Sequence, residues 1–160
     1  MKKQYLMRVL PFLSAAVLTA CGGGGGGGGG NGGVSTILNG VALKGPLNGA
    51  VACADINENG LCDDGAANQV VTNADGTFVL TLTKPVPILV VINSTTKDDR
   101  GNSLASGTML KAPAGSTTVS VATTMLAAGA SNDQVATALG YPAGTDFKTL
   151  NPFKAGGSNA

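Results

Sequence analysis

The chain has 160 residues, of which 43% are hydrophobic and 12% charged, and it contains neither tryptophan nor histidine. Seven basic and nine acidic residues follow position 21, a net charge of −2, and the basic residues form no cluster. This balance argues against nucleic-acid binding. The lack of histidine removes the side chain most often used as a general base or as a partner of cysteine in zinc sites.

Residues 1–20 have the pattern of an export signal. Three basic residues precede a short apolar run, Val9 to Leu18, which cannot form a permanent membrane span. The segment ends in LTAC, and this end resembles the lipobox of bacterial lipoprotein signal peptides. The resemblance implies cleavage before Cys21, lipidation of that residue and attachment to a membrane through its acyl chains. The alternative is an ordinary secretory signal that contains a cysteine.

The lipobox is followed by a glycine run. Many inner-membrane lipoproteins carry aspartate directly after the lipidated cysteine, whereas this chain has Gly22. The resemblance therefore implies the outer membrane, with the protein facing the periplasm or the cell surface. Residues 22–33, GGGGGGGGGNGG, have no side chains to bury and should form a flexible coil with a reach of about 20 Å. We predict a lipidated cysteine and tether at 21–33.

Residues 34–121 are predicted to form a mainly β domain. Short β-branched runs alternate there with Gly, Asn, Asp and Pro, which is typical of an antiparallel β-sandwich. The run PILVVIN is apolar enough for a central strand, and Asp75-Gly76 predicts a tight turn before the alternating run TFVLTL. Seven strands are expected, in STILNGVALKG, GAVACADI, NQVVTN, GTFVLTL, PILVVIN, GTMLKAP and TTVSVAT.

Residues 122–160 are predicted to form one or two short helices and a frayed tail. Apolar residues recur there at spacings of three and four, and Gly129 interrupts them. Ser131 is a suitable N-cap for a second helix, and Gly140 is a suitable stop before a Tyr-Pro pair.

Two stretches, GVALKGPLNGAVACADINENGLCDDG and NADGTFVL, resemble the transthyretin-like or carboxypeptidase-regulatory-like modules of bacterial surface proteins. The resemblance covers about residues 39–82. It implies a β-sandwich with a DG hairpin, an adhesive or spacer role, and no catalytic residues. Such modules often begin larger proteins, so the chain is alternatively a truncated relative of a longer adhesin.

The stretch CADINENGLCDDG has the spacing of a calcium loop. Calcium takes six to eight oxygen ligands, and loops of the EF-hand type supply them from alternating positions around a glycine at the sixth. Gly60 holds that position, and Ala66 stands where a bidentate glutamate would close the shell, with Asp64 or Asp75 as the alternative closing carboxylate. We expect weak binding, with a dissociation constant of about 10⁻⁴–10⁻³ M, or else a polar turn without calcium. The predicted ligands are Asp55, Asn57, Asn59, Leu61 through its carbonyl, and Asp63.

The same stretch contains a cysteine pair. If Cys21 carries lipid, Cys53 and Cys62 are the remaining pair, and disulfides persist in exported proteins. A structural disulfide is favoured over thiolate metal binding, which lacks histidine partners, and over a redox pair, which usually has the Cys-x-x-Cys spacing.

Catalysis is not expected. Asp98 and Asp99 are adjacent in sequence and lie beside basic residues, which favours a solvated hairpin loop over an acid–base pair.

Two functions from different classes remain. The first is a lipid-anchored structural or adhesive module. The second is a carbohydrate-binding or other ligand-binding module, which the scarcity of aromatic residues disfavours and for which Tyr141 is the aromatic candidate. The sequence does not identify a protein or glycan partner.

Overall fold

The structure is a computed structural model and describes residues 35–154. The predicted signal, Cys21 and the whole glycine tether lie outside the described residues. Seven strands are followed by two helices, which confirms the predicted mainly β fold with C-terminal helices. The elements are β1 (Thr36–Leu43), β2 (Val51–Ala54), β3 (Gln69–Val71), β4 (Thr77–Leu82), β5 (Ile88–Val91), β6 (Met109–Ala112), β7 (Thr118–Ser120), α1 (Val121–Ala127) and α2 (Asn132–Leu139).

The strands form two sheets. One has three strands in the order β4-β1-β7, and the other has four in the order β3-β2-β5-β6. Neighbouring strands are antiparallel except β1 and β7, which are parallel. The apolar strand β5 lies between β2 and β6, as its sequence predicts. The Asp75-Gly76 turn connects the two sheets, because β3 and β4 belong to different ones, and so the hairpin implied by the resemblance is not a sheet hairpin.

The main core lies between the two sheets and consists of small and medium-sized aliphatic residues around one buried aromatic ring, Phe78. Gly40 is opposite Phe78 in the β1–β4 register. A Cβ at Gly40 would overlap that ring, so the absence of a side chain there makes room for the largest core residue. A second, smaller cluster packs the helices through Ala122, Val135, Ala136 and Phe147.

The helix boundaries follow the predicted signals. Ser131 caps α2, where its side chain accepts a hydrogen bond from the Gln134 N–H, and Gly140 ends the helix in the left-handed conformation. Helix α1 is capped in the same way by Ser120. The helical segment also covers the edge of β6, because the Lys111 N–H donates to Thr124 Oγ1 over 2.9 Å.

Thr72 joins the segment before β2 to the end of β3. Its buried hydroxyl accepts from the Ala50 N–H over 3.0 Å and donates to the Leu47 carbonyl. Thr72→Val should therefore lower the free energy of unfolding by about 1–2 kcal/mol, because both backbone groups lose a buried partner. Chemical denaturation measures this loss. Thr81→Val is the matched control on an exposed position and should change stability by less than about 0.5 kcal/mol. Equal effects of the two substitutions would contradict the assignment.

Candidate functional site

The predicted disulfide is present and closes the loop that follows β2. Cys53, in β2, is bonded to Cys62 across a Cα–Cα distance of 5.7 Å, with a sequence separation of 9. Cys53 is buried on the face of the four-stranded sheet opposite the main core, because its neighbours Ala52 and Ala54 point into that core. The loop is therefore attached to the outer face of this sheet.

A row of residues across this outer face holds the loop in place. The strand register aligns Gln69, Cys53, Leu89 and Lys111 on neighbouring strands. Gln69 Nε2 donates to the Cys62 carbonyl over 2.8 Å, and Lys111 Nζ lies 3.4 Å from Asp55 Oδ2. One disulfide, one hydrogen bond and one ion pair therefore attach the loop to three different strands.

Asp55 is the buried carboxylate at the start of the loop. It follows β2 directly, its side chain is 0% exposed, and its Oδ2 also accepts from the Gly60 N–H over 3.1 Å. Its Oδ1 is buried and has no hydrogen-bond partner in the described part of the chain. A buried carboxylate oxygen without a partner is costly, and a cation bound at Oδ1 would offset that cost.

Asn57, Asn59 and Asp63 come together next to this residue. Asn57 Oδ1 accepts from the Asn59 N–H over 3.0 Å, and Asn59 Oδ1 accepts from the Leu61 N–H over 2.8 Å. The two side-chain amides donate to the Asp63 carboxylate over 2.9–3.3 Å. The exposed Leu61 side chain takes no part in this network, and its backbone N–H lies within it.

The loop winds through two left-handed residues. Gly60 has φ 80°, as expected for the sixth position of a calcium loop, and Glu58 has φ 59°, which is unusual for a residue with a side chain. The loop bends at both positions, and the side chains of Asn57 and Asn59 reach the Asp63 carboxylate beyond the bends.

The closing position of the loop carries no carboxylate. Ala66 begins a one-turn 3₁₀ helix, Ala66–Asn68. Asp64 contacts the start of the loop, where its Oδ2 accepts from the N–H groups of Ile56 and Asn57 over 2.7 and 3.3 Å. Asp75 belongs to the turn before β4, where it binds Thr77. Of these two carboxylates, Asp64 is therefore the one that contacts the loop, although it is not among the predicted ligands.

The donor set fits a hard cation of the calcium type. Within residues 35–154, no group of three His, Cys, Asp or Glu side chains is placed to hold a metal. Calcium also accepts amide and backbone carbonyl oxygens, and each Asn Oδ1 retains a second lone pair beside the N–H that it accepts. Asp55 Oδ1, Asn57, Asn59, the Leu61 carbonyl and Asp63 are the residues that would hold it.

The ion pair between Lys111 and Asp55 was not predicted from the sequence, since 56 residues separate the two. The available signal was a single lysine in the otherwise apolar strand MLKA.

Comparisons with protein families, with curated proteins and with solved structures found no match to this chain. The likeness to transthyretin-like modules therefore stays a prediction. Among the described residues, no helix combines the length and apolarity needed to cross a bilayer.

Proposed function

We propose that this protein is a lipid-anchored component of the cell envelope that displays a non-catalytic, structural or adhesive β-sandwich with a calcium-binding loop. The observation that carries the proposal is the buried Asp55 carboxylate, whose Oδ1 has no partner at the start of a ladder of amide and carboxylate oxygens. The Cys53–Cys62 disulfide supports it, because a pinned loop has less conformational entropy to lose when it binds a cation.

Asp98, from the adjacent pair Asp98-Asp99, has the contacts of a structural residue. Asp98 Oδ1 accepts from the N–H groups of Arg100 and Asn102, over 2.9 and 2.8 Å, and its other oxygen accepts from the Asn102 side chain. The Asn102 side-chain hydrogen bond is the main cause that lowers the pKa of Asp98, so this carboxyl stays ionised at neutral pH. A carboxylate engaged in this way holds a turn together and is poorly placed to transfer protons.

The proposed anchor depends on Cys21 and the preceding LTA. Cys21→Ser should abolish incorporation of a labelled fatty acid and release the protein from the membrane fraction, because stable attachment requires the acyl chains. Cys62→Ser is the matched control, because it removes another cysteine and should keep both the label and the membrane association. Fatty-acid labelling followed by cell fractionation measures the result. A Cys21→Ser variant that stays labelled and membrane-bound would disprove the anchor.

The side of the membrane is a separate question. Protease added to intact cells should cleave a surface-displayed protein and leave a periplasm-facing protein intact. Full cleavage without lysis supports an adhesive role, whereas cleavage only after lysis supports a role inside the envelope.

Lys111 should compete with the proposed calcium ion, because both cations approach the Asp55 carboxylate. Lys111→Met keeps the apolar stem and removes the charge. We expect this change to lower the calcium dissociation constant about threefold by removing Coulombic repulsion. Lys84→Met, which removes a charge from an exposed position outside the loop, should leave the constant unchanged. Calorimetric titration of both variants measures the difference. Weaker binding by Lys111→Met than by wild type would contradict the competition.

A further inference from the structure

A cleft with polar and apolar lining lies on the other sheet. A cleft of about 620 Å³ lies between the strands β4, β1 and β7 and the C-terminal segment 148–154. The register places Thr77, Val41 and Thr118 in one row across the three strands, and places Asn39 opposite Val79 in the next. These side chains alternate with core residues such as Leu80 and Val119, so the cleft lies on the outer face of the three-stranded sheet.

The C-terminal segment forms the opposite wall of the cleft. The N–H groups of Thr117 and Thr118 both donate to the Lys148 carbonyl, each over 2.9 Å, which attaches this segment to β7. Phe153, which is 53% exposed, and Asn151 line the cleft from this wall. The Phe153 N–H donates to Asn151 Oδ1 over 3.0 Å, a local hydrogen bond that sets the turn carrying both side chains.

The lining combines apolar surface with neutral hydrogen-bonding groups. Val41, Val79 and Phe153 supply the apolar part, while threonine hydroxyls and asparagine amides supply donors and acceptors. Thr118 Oγ1 is buried and has no hydrogen-bond partner within residues 35–154, in a residue only 1% exposed. A buried hydroxyl without a partner on the cleft lining is a polar group that a ligand or an ordered water would satisfy.

The cleft lining carries one charge of each sign. Asp75 and Lys154 both line it, so their opposite charges give it no net charge. Thr77 lowers the pKa of Asp75, chiefly by donating its side-chain hydrogen bond to the carboxylate, so Asp75 remains an ionised acceptor at neutral pH. An anionic ligand would meet this carboxylate. A neutral ligand with many hydroxyls would find acceptors, donors and an aromatic ring together.

We propose that this cleft binds a neutral saccharide, whose hydroxyls pair with the threonine and asparagine side chains and whose apolar ring face contacts Phe153. The cleft volume falls within the range of small-ligand sites, about 300–1,000 Å³. This site does not share residues with the calcium loop, so binding should persist in EDTA. Loss of one activity therefore does not imply loss of the other.

The test uses neutral oligosaccharides, such as maltotriose and the trisaccharide of N-acetylglucosamine, added to the full chain in EDTA. Saturation-transfer NMR should show contact with at least one of them, together with shifts of the Thr117 and Thr118 amide signals. Phe153→Ala should weaken binding about threefold to tenfold, and Phe153→Tyr should restore it, because the ring is retained.

Ile37→Ala is the matched control, because Ile37 is 64% exposed on the same sheet but does not line the cleft. The Ile37→Ala variant should bind the saccharide with the same affinity as the wild-type protein. The proposal is overturned if no neutral saccharide binds at roughly 10 mM, about ten times the dissociation constant of a weak, 1 mM complex. It is equally overturned if Phe153→Ala binds normally, if loss follows Tyr141→Ala instead, or if the cleft signals respond only to peptides.

Discussion

Replacing both Cys53 and Cys62 by alanine should lower the free energy of unfolding by about 2–3 kcal/mol. The disulfide closes a loop with a sequence separation of 9, and the chain-entropy relation for such a loop gives a loss of this size. The effect is large for this protein, because its main core contains a single aromatic ring and many alanines. Urea denaturation of the purified full-length protein measures the change.

The wild-type protein supplies the control for this prediction. Reductant should lower wild-type stability by about the same amount and should have no effect on the double alanine variant. The calcium dissociation constant should also rise in the variant, because its loop must lose more conformational entropy on binding. A double variant as stable as wild type would show that the sheet contacts of Gln69 and Lys111 are enough to hold the loop.

Asp55→Asn should raise the calcium dissociation constant at least about tenfold. This substitution keeps the shape of the side chain and one oxygen acceptor, and it removes the charge that a hard cation prefers. Because Asp55 is buried and pairs with Lys111, the variant also leaves the ammonium group without its partner. Calcium titration calorimetry, combined with a thermal denaturation curve, separates weaker binding from loss of fold.

Glu58→Gln is the matched control for Asp55→Asn. It removes a negative charge from the exposed tip of the same loop, at a residue outside the predicted ligand ladder. We expect the calcium dissociation constant to change by about twofold or less in this variant. Equal losses in the two variants would mean that calcium responds only to the overall charge of the loop.

The strands could be predicted from sequence because each apolar run is short and bounded by turn residues. All seven observed strands fall within the seven predicted runs, and Ser131 and Gly140 mark the second helix as expected. Which strands belong to which of the two sheets was harder to predict from the sequence. The turn at Asp75-Gly76 is a local signal, but whether it joins strands of one sheet or of two depends on how the whole chain pairs.

The candidate cation site was predictable where its contacts are local. Asparagine side chains readily accept a hydrogen bond from the N–H two residues further on. This explains why Asn57 Oδ1 accepts from the Asn59 N–H and Asn59 Oδ1 from the Leu61 N–H. The approach of Lys111 to Asp55 depends on the register of β2, β5 and β6, which no short stretch encodes. Likewise, no short stretch encodes the hydrogen bond that joins the Thr118 N–H to the Lys148 carbonyl of the C-terminal segment.

Whether another carboxylate closes the loop could not be decided from residue spacing alone. Ala66 occupies the position that normally closes a calcium loop, and either Asp64 or Asp75 could be proposed as a substitute from sequence. Asp64 binds the backbone of Ile56 and Asn57, whereas Asp75 forms its own turn with Thr77. Neither replaces the missing glutamate in the arrangement described, which favours weak binding.

Calcium titration followed by ¹H–¹⁵N NMR on the oxidised full chain tests the proposed loop most directly. The signals of the Gly60 and Leu61 amides and of the Asn57 and Asn59 side chains should shift saturably, with a dissociation constant of about 10⁻⁴–10⁻³ M. The turn at Asp98 is an internal control for nonspecific binding, and its signals should stay in place. Loop signals that do not move at roughly 10 mM calcium, or that move only in parallel with the Asp98 turn, would contradict a calcium site at Asp55.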